Sequence, residues 1–180
     1  VFMESPSYLG AINAFRAYEP KFVEVETDSC GMIPEALEEA LKSAKHPKFI
    51  YVVPDFQNPT GRTWSVKRRK ALVELAGKYG IIVVEDNPYG ELRYEGEMVP
   101  AIKALDTEGW VVYLGTFSKT LCPGMRIGWV AANRHLIEKL VLVKQGADLH
   151  TSTISQMQIN LFIETEDFDA HVQRLRQVYR

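Results

Sequence analysis

Short apolar runs alternate with helical spacing through the first half of this chain. Val1 to Glu4 reads as a strand, Tyr8 to Tyr18 as a helix, and Lys21 to Val25 as a second strand. Pro34 to Ala44 follows as a helix with Leu37, Ala40 and Leu41 on one face. Phe49-Ile50-Tyr51-Val52-Val53 shows no alternation, the pattern of a strand covered on both faces. A loop rich in turn formers runs from Pro54 to Gly61. Ser65 is placed to cap the next helix by accepting a backbone N–H, and that helix runs to Tyr79 with Gly80 as its stop. Ile81-Ile82-Val83-Val84 is a fourth strand. Strand and helix alternating at this spacing predict an α/β sheet, mostly parallel.

After Asp86 the rhythm changes. Val111 to Thr116 and Arg126 to Ala131 are strand candidates joined by a loop too short for a helical crossover, so they lie antiparallel if adjacent. From Arg134 onward the pattern is helical: Leu136-Ile137-Leu140-Val141, then Ile154 to Ile163, then Phe168 to Tyr179. No repeat or low-complexity linker interrupts it.

Composition narrows the function classes. A chain of 180 residues suffices for one sizeable core, and 46% hydrophobic with 24% charged residues gives no reason to expect disorder. A net charge of −2 exerts no general pull toward nucleic acid or membrane, so neither is expected as a partner of this segment. The one dense basic run, Lys67-Arg68-Arg69-Lys70, lies on a predicted helix and reads as a solvated face. Cys30 and Cys122 form no CxxC pair, which argues against structural zinc and a disulfide scaffold and fits a reducing cytoplasm. His46, His135, His150 and His171 lack metal-ligand spacing, so surface or packing roles are expected for them. No apolar stretch reaches the ~20 residues that span a bilayer. The chain opens on Val1 without a signal-like pattern and closes in helical spacing without a stop, so it reads as a piece of a longer protein.

Ligands of open parallel sheets bind beyond the carboxyl ends of the strands. Three such ends carry unusual polar residues: Asn58-Pro59-Thr60-Gly61, then Glu85-Asp86-Asn87-Pro88-Tyr89, then Thr116-Phe117-Ser118-Lys119. Taken singly, each has a bland reading. Asn-Pro-Thr-Gly suits a turn, Asp86 can cap one, Tyr89 can pack on the sheet edge, and a lone lysine is usually a surface residue. Together they supply an amide, a carboxylate, a phenol, an amine, hydroxyls and, with Arg126, a guanidinium. That set suits an aromatic, phosphorylated aldehyde.

The order Asn-Pro-Thr-Gly, Asp-x-x-Tyr, (Ser/Thr)-x-Ser-Lys and Pro-Gly-x-Arg-x-Gly-Trp resembles the class I/II aminotransferases of pyridoxal-phosphate fold type I. It is most similar to their 2-aminoadipate-type and MocR-like branch, which shares segments like Ser65 to Leu72. The resemblance implies a three-layer α/β/α large domain with one antiparallel strand near the lysine. Residues 1–166 would form part of that domain, and 167–180 the start of a helix leading to a small domain. It implies pyridoxal 5'-phosphate as cofactor, with Lys119 holding it as a Schiff base and later shuttling a proton. Asp86 would pair with the pyridine nitrogen, and Tyr89 and Asn58 would donate to the ring's phenolate oxygen. Thr116, Ser118 and Arg126 would hold the phosphate, with Thr116 standing where the family more often has serine. Pro123-Gly124 would turn Arg126 toward the same group. The implied activity is transfer of an α-amino group from an amino acid to a 2-oxo acid, in a cytoplasmic homodimer. The segment alone is expected to be inactive. A β-lyase and the sensor domain of a MocR-type regulator are the alternatives.

Overall fold

The computed structural model describes residues 1–180. In chain order the elements are β1 (Phe2–Glu4), α1 (Leu9–Arg16), β2 (Val23–Val25), β3 (Thr27–Asp28), β4 (Gly31–Met32), α2 (Pro34–Ser43) and β5 (Phe49–Val52). They continue with α3 (Val66–Tyr79), β6 (Ile82–Asp86), α4 (Ile102–Leu105), β7 (Val111–Thr116), β8 (Gly128–Ala131), α5 (Arg134–Ala147), α6 (Thr153–Thr165) and α7 (Phe168–Tyr179). The main sheet has six strands in the order β2-β1-β5-β6-β7-β8. Its β1, β2, β5 and β6 run parallel, as the α/β pattern predicted.

Strand alternation explains why Phe49 to Val53 is hydrophobic throughout. Ile50 and Val52 pack with Phe2, Val83 and Val111 against Leu37 and Leu41 of α2, Leu72 and Ala76 of α3, and Ile102 of α4. Tyr51 and Val53 face the other way and join Val1, Met3 and Val84 against Ala11 and Phe15 of α1. Both faces are therefore covered, and no polar alternation survives.

The chain divides into two compact units. The first comprises 1–87 and 99–113 and holds both clusters just described. The second comprises 88–98 and 114–180, and β7 passes from one to the other. Within the second unit, Phe117 N–H donates to Ile127 O at 3.1 Å, and a Cβ on Gly115 would lie 2.3 Å from Trp129. Pairing 117 with 127 and 115 with 129 is an antiparallel arrangement, as the short connection requires. In α7, His171 stacks edge-on against Phe162 at 5.4 Å, a packing role. Arg176 Nε donates to Glu91 O at 2.7 Å and ties α7 to the short turn Gly90–Leu92.

The ends of α3 follow the sequence. Ser65 Oγ accepts from Arg68 N at 3.3 Å, and Gly80 closes the helix at φ 60°, a left-handed conformation that a side chain would disfavour. The solvated reading of its basic run requires correction. Lys67 and Lys70 are exposed, but Arg69 is fully buried and Arg68 is partly buried against Gly31 O, Met32 O and Asp28. Four consecutive residues span more than one helical turn, so one of them must face the core. The hairpin β3-β4 and the single turn α4 lie outside the sequence reading, being too short to display a period.

No helix is long and apolar enough to cross a membrane. Both cysteines are free, and no cluster of three or more metal-ligating side chains occurs.

Candidate active site

The loop that leaves β5 is organised by two buried polar side chains. Asp55 forms a bidentate pair with Arg69, whose Nη1 and Nη2 lie 3.0 and 2.8 Å from its two carboxylate oxygens. The remaining guanidinium donors bond Trp64 O, Pro100 O and Pro54 O, so all five N–H groups are satisfied. Asp55 Oδ2 also accepts from Asn87 Nδ2 at 3.2 Å, which links the loop after β5 to the residue following Asp86. Gln57 then shapes the Asn-Pro-Thr-Gly turn. Its Oε1 accepts from Thr60 N and Oγ1 at 2.9 and 2.6 Å, and its Nε2 donates to Pro6 O at 2.9 Å. Asn58 stands exposed at the tip.

At the end of β6, alternation separates two adjacent carboxylates. Glu85 faces the α3 and α4 side and is fully buried, where its two oxygens accept from Ile102 N and Lys103 N at 2.8 Å each. Burial raises its pKa to about 7 against the pull of those bonds. It caps α4. Asp86 faces the α1 side, and its Oδ2 accepts from the Tyr51 hydroxyl at 2.7 Å. Burial pushes its pKa up, and the tyrosine bond acts in the opposite sense.

The second unit holds the remaining candidates. Lys119 is exposed, and its Nζ lies 6.0 Å from the centroid of the Tyr89 ring. Thr116 Oγ1 is 3.0 Å from Ser118 Oγ, accepts from Ser118 N at 3.0 Å, and lies 3.1 Å from Ile127 O. This short side chain-to-backbone turn ends β7 and presents two hydroxyls together. Pro123–Met125 forms a 3₁₀ turn and leaves Arg126 at φ 56°, an unusual conformation for a residue with a side chain. Arg126 is exposed, with Nη1 3.5 Å from Pro123 O.

Three groupings are thus present: Tyr51 with Asp86, Lys119 with Tyr89, and Thr116 with Ser118. The buried partnerships of Tyr51, Asp55, Arg69 and Glu85 are not spelled out by the sequence. One signal was available, because a phenol inside an otherwise apolar strand needs an acceptor. Arg69 carried none, as it sits in an ordinary basic run.

The fold is that of an α/β protein with polar residues at its strand ends and a lysine in the turn after β7, and sequence comparison fixes the family. The aminotransferase class I and II profile matches residues 1–180, and the chain belongs to that family. It is 50% identical to "Aromatic-amino-acid aminotransferase 1" of Thermococcus litoralis, with 100% of this chain and 44% of that protein covered. The structure resembles a kynurenine aminotransferase of Pyrococcus horikoshii in complex with PMP, with TM-score 0.94 and 46% identity over 98% of this chain and 45% of that one. It also resembles LysN, an α-aminoadipate aminotransferase of Thermus thermophilus complexed with N-(5'-phosphopyridoxyl)-L-leucine, with TM-score 0.94 and 41% identity over 99% of this chain and 46% of that one. The chain therefore spans less than half the length of these relatives.

Proposed function

We propose that this chain is the cofactor-anchoring part of a pyridoxal-phosphate-dependent aminotransferase, which passes the α-amino group of an amino acid to a 2-oxo acid. One observation carries the reading. A carboxylate that packing does not require, Asp86, stands at the carboxyl end of a parallel strand and is held by a buried phenol. The resemblance to relatives crystallised with PMP or a phosphopyridoxyl amino acid supports the cofactor.

The donor set fits the cofactor's chemistry. Bound pyridoxal phosphate supplies an aldehyde carbon for covalent attachment and a protonated ring that accepts the electrons left when a substrate α-proton departs. Lys119 Nζ would be the attachment point and would carry the proton taken from the substrate α-carbon. Asp86, as carboxylate, would hold the proton at the ring nitrogen. Tyr89 and Asn58 would donate hydrogen bonds to the ring oxygen. The paired hydroxyls of Thr116 and Ser118 would bind the phosphate, and the Arg126 guanidinium could grip it bidentately.

Residues 1–166 are assigned to part of the large domain, and 167–180 to the start of the helix entering a small domain. The 180 residues alone are expected to lack turnover, and the whole protein to work as a cytoplasmic homodimer. The test is to load the full-length protein with pyridoxal phosphate, reduce with borohydride and map the modified peptide. The label should sit on Lys119 and vanish in Lys119→Ala; a label on another lysine in the unsubstituted protein, or none, sinks the reading.

A further inference from the structure

The candidate site leaves one buried polar group without a task, the hydroxyl of Tyr51. A strand between two apolar layers gains nothing from a hydroxyl unless it has a partner. Tyr51 is 1% exposed and pairs with Val84 in the β5–β6 register. Alternate residues share a face, so Asp86, two positions past Val84, lies on the same side of the sheet as Tyr51 and diagonally across from it. The hydroxyl reaches Asp86 Oδ2 at 2.7 Å. Phe15 of α1 packs edge-on against the tyrosine ring with centroids 5.4 Å apart, and Phe49 packs on Phe15 at 5.1 Å, so the ring is held in place.

We propose that Tyr51 is a positioning residue for Asp86: its hydroxyl fixes the carboxylate by Oδ2 and leaves Oδ1 to meet the ring nitrogen of the cofactor. The inference rests on the cofactor reading above. It has a second consequence for charge. Burial favours the neutral form of Asp86, which could not hold a proton on a pyridine ring, and the bond from Tyr51 favours the ionised form. Burial, then the charge of Asp86, push the Tyr51 phenol far above its ordinary range, so it stays a donor at every working pH; Tyr8 and Glu4 act on it in the same direction.

The experiment uses the full-length protein loaded with pyridoxal phosphate carrying ¹⁵N in the ring, whose chemical shift reports the proton on that nitrogen. Tyr51→Phe keeps the ring against Phe15 and removes only the hydroxyl. Its ring nitrogen should lose the proton at a pH lower by about one unit, a tenfold change in the proton equilibrium. The cofactor Kd should rise roughly tenfold, within the range for a hydrogen bond to a charged group. In an Asp86→Asn background the same substitution should change neither quantity. A fluorotyrosine placed at position 51 alone, a stronger donor, should move the midpoint upward. An unmoved midpoint in Tyr51→Phe with cofactor bound, an equal change in the Asp86→Asn background, or no upward movement with fluorotyrosine overturns this inference alone. Failure of the unsubstituted protein to attach cofactor at Lys119 overturns the site reading, and this inference with it.

Discussion

At the scale of single residues, burial decides what each carboxylate does. Glu4 ends β1 almost fully buried, accepting from Trp64 Nε1 at 3.0 Å, and burial raises its pKa from 4.5 to about 7. A raised folded-state pKa means stability that is complete below the unfolded value and lost as pH climbs through the folded one. Glu4→Gln retains an acceptor for Trp64 and abolishes the titration. The stability difference, variant minus unsubstituted, should therefore grow in the variant's favour by about 3 kcal/mol as pH rises from 4.5 to 8, each pKa unit being worth ~1.4 kcal/mol. Urea midpoints across that range measure it, and a pH-independent difference would refute it. Residues at strand ends were legible in the sequence because polar groups there interrupt an apolar pattern: Asp86 and Lys119 show themselves that way. The partners of Tyr51 and Glu85 are not legible there, since they lie 35 and 17 residues away and no local spacing points to them.

At the scale of elements, α3 is both a wall of the core and a clasp for the loop after β5. Arg69 joins this helix to Pro54, Asp55 and Pro100, and through Asp55 to Asn87. Removing one partner of a buried pair leaves the other charge uncompensated, which costs about 3–5 kcal/mol. Arg69→Ala should lose that much in chemical denaturation, with Asp55→Ala,Arg69→Ala losing less than the sum of the single changes. Strict additivity would show that the pair is not coupled. The boundaries of α3 could be read from Ser65 and Gly80 because capping is local chemistry. The side chains of α3 could not, because a run of four basic residues does not reveal which one turns inward. The β3-β4 hairpin escaped for another reason: Gly31 sits at φ 100°, where a Cβ would come within 2.1 Å of Trp64 Nε1, and that requirement is tertiary.

At the scale of the whole molecule, apolar exposure is concentrated in two helices. Leu142 and Val143 of α5 are 63% and 64% exposed, and Ile154 and Met157 of α6 are 71% and 66% exposed. The sequence reading placed both helices by their apolar periodicity, and that periodicity implies a face meant to be covered. In the 180-residue chain these side chains meet water, and exposed apolar surface of this kind drives association. The purified chain should therefore sediment as a concentration-dependent mixture of monomer and larger species. Exchanging Leu142 and Met157 together for glutamate should return it to monomer mass, because a charge at each position makes burial of the patch unfavourable. The far-ultraviolet circular dichroism should stay unchanged, since neither side chain contributes to a buried core. Sedimentation velocity over a hundredfold concentration range decides the matter: a monomer throughout for the unsubstituted chain would show that this face does not associate on its own. Persistent oligomers in the double variant would place the sticking surface elsewhere. A switch from oligomer to monomer would locate it on α5 and α6, and the same two substitutions in the full-length protein would then ask whether that face is buried there.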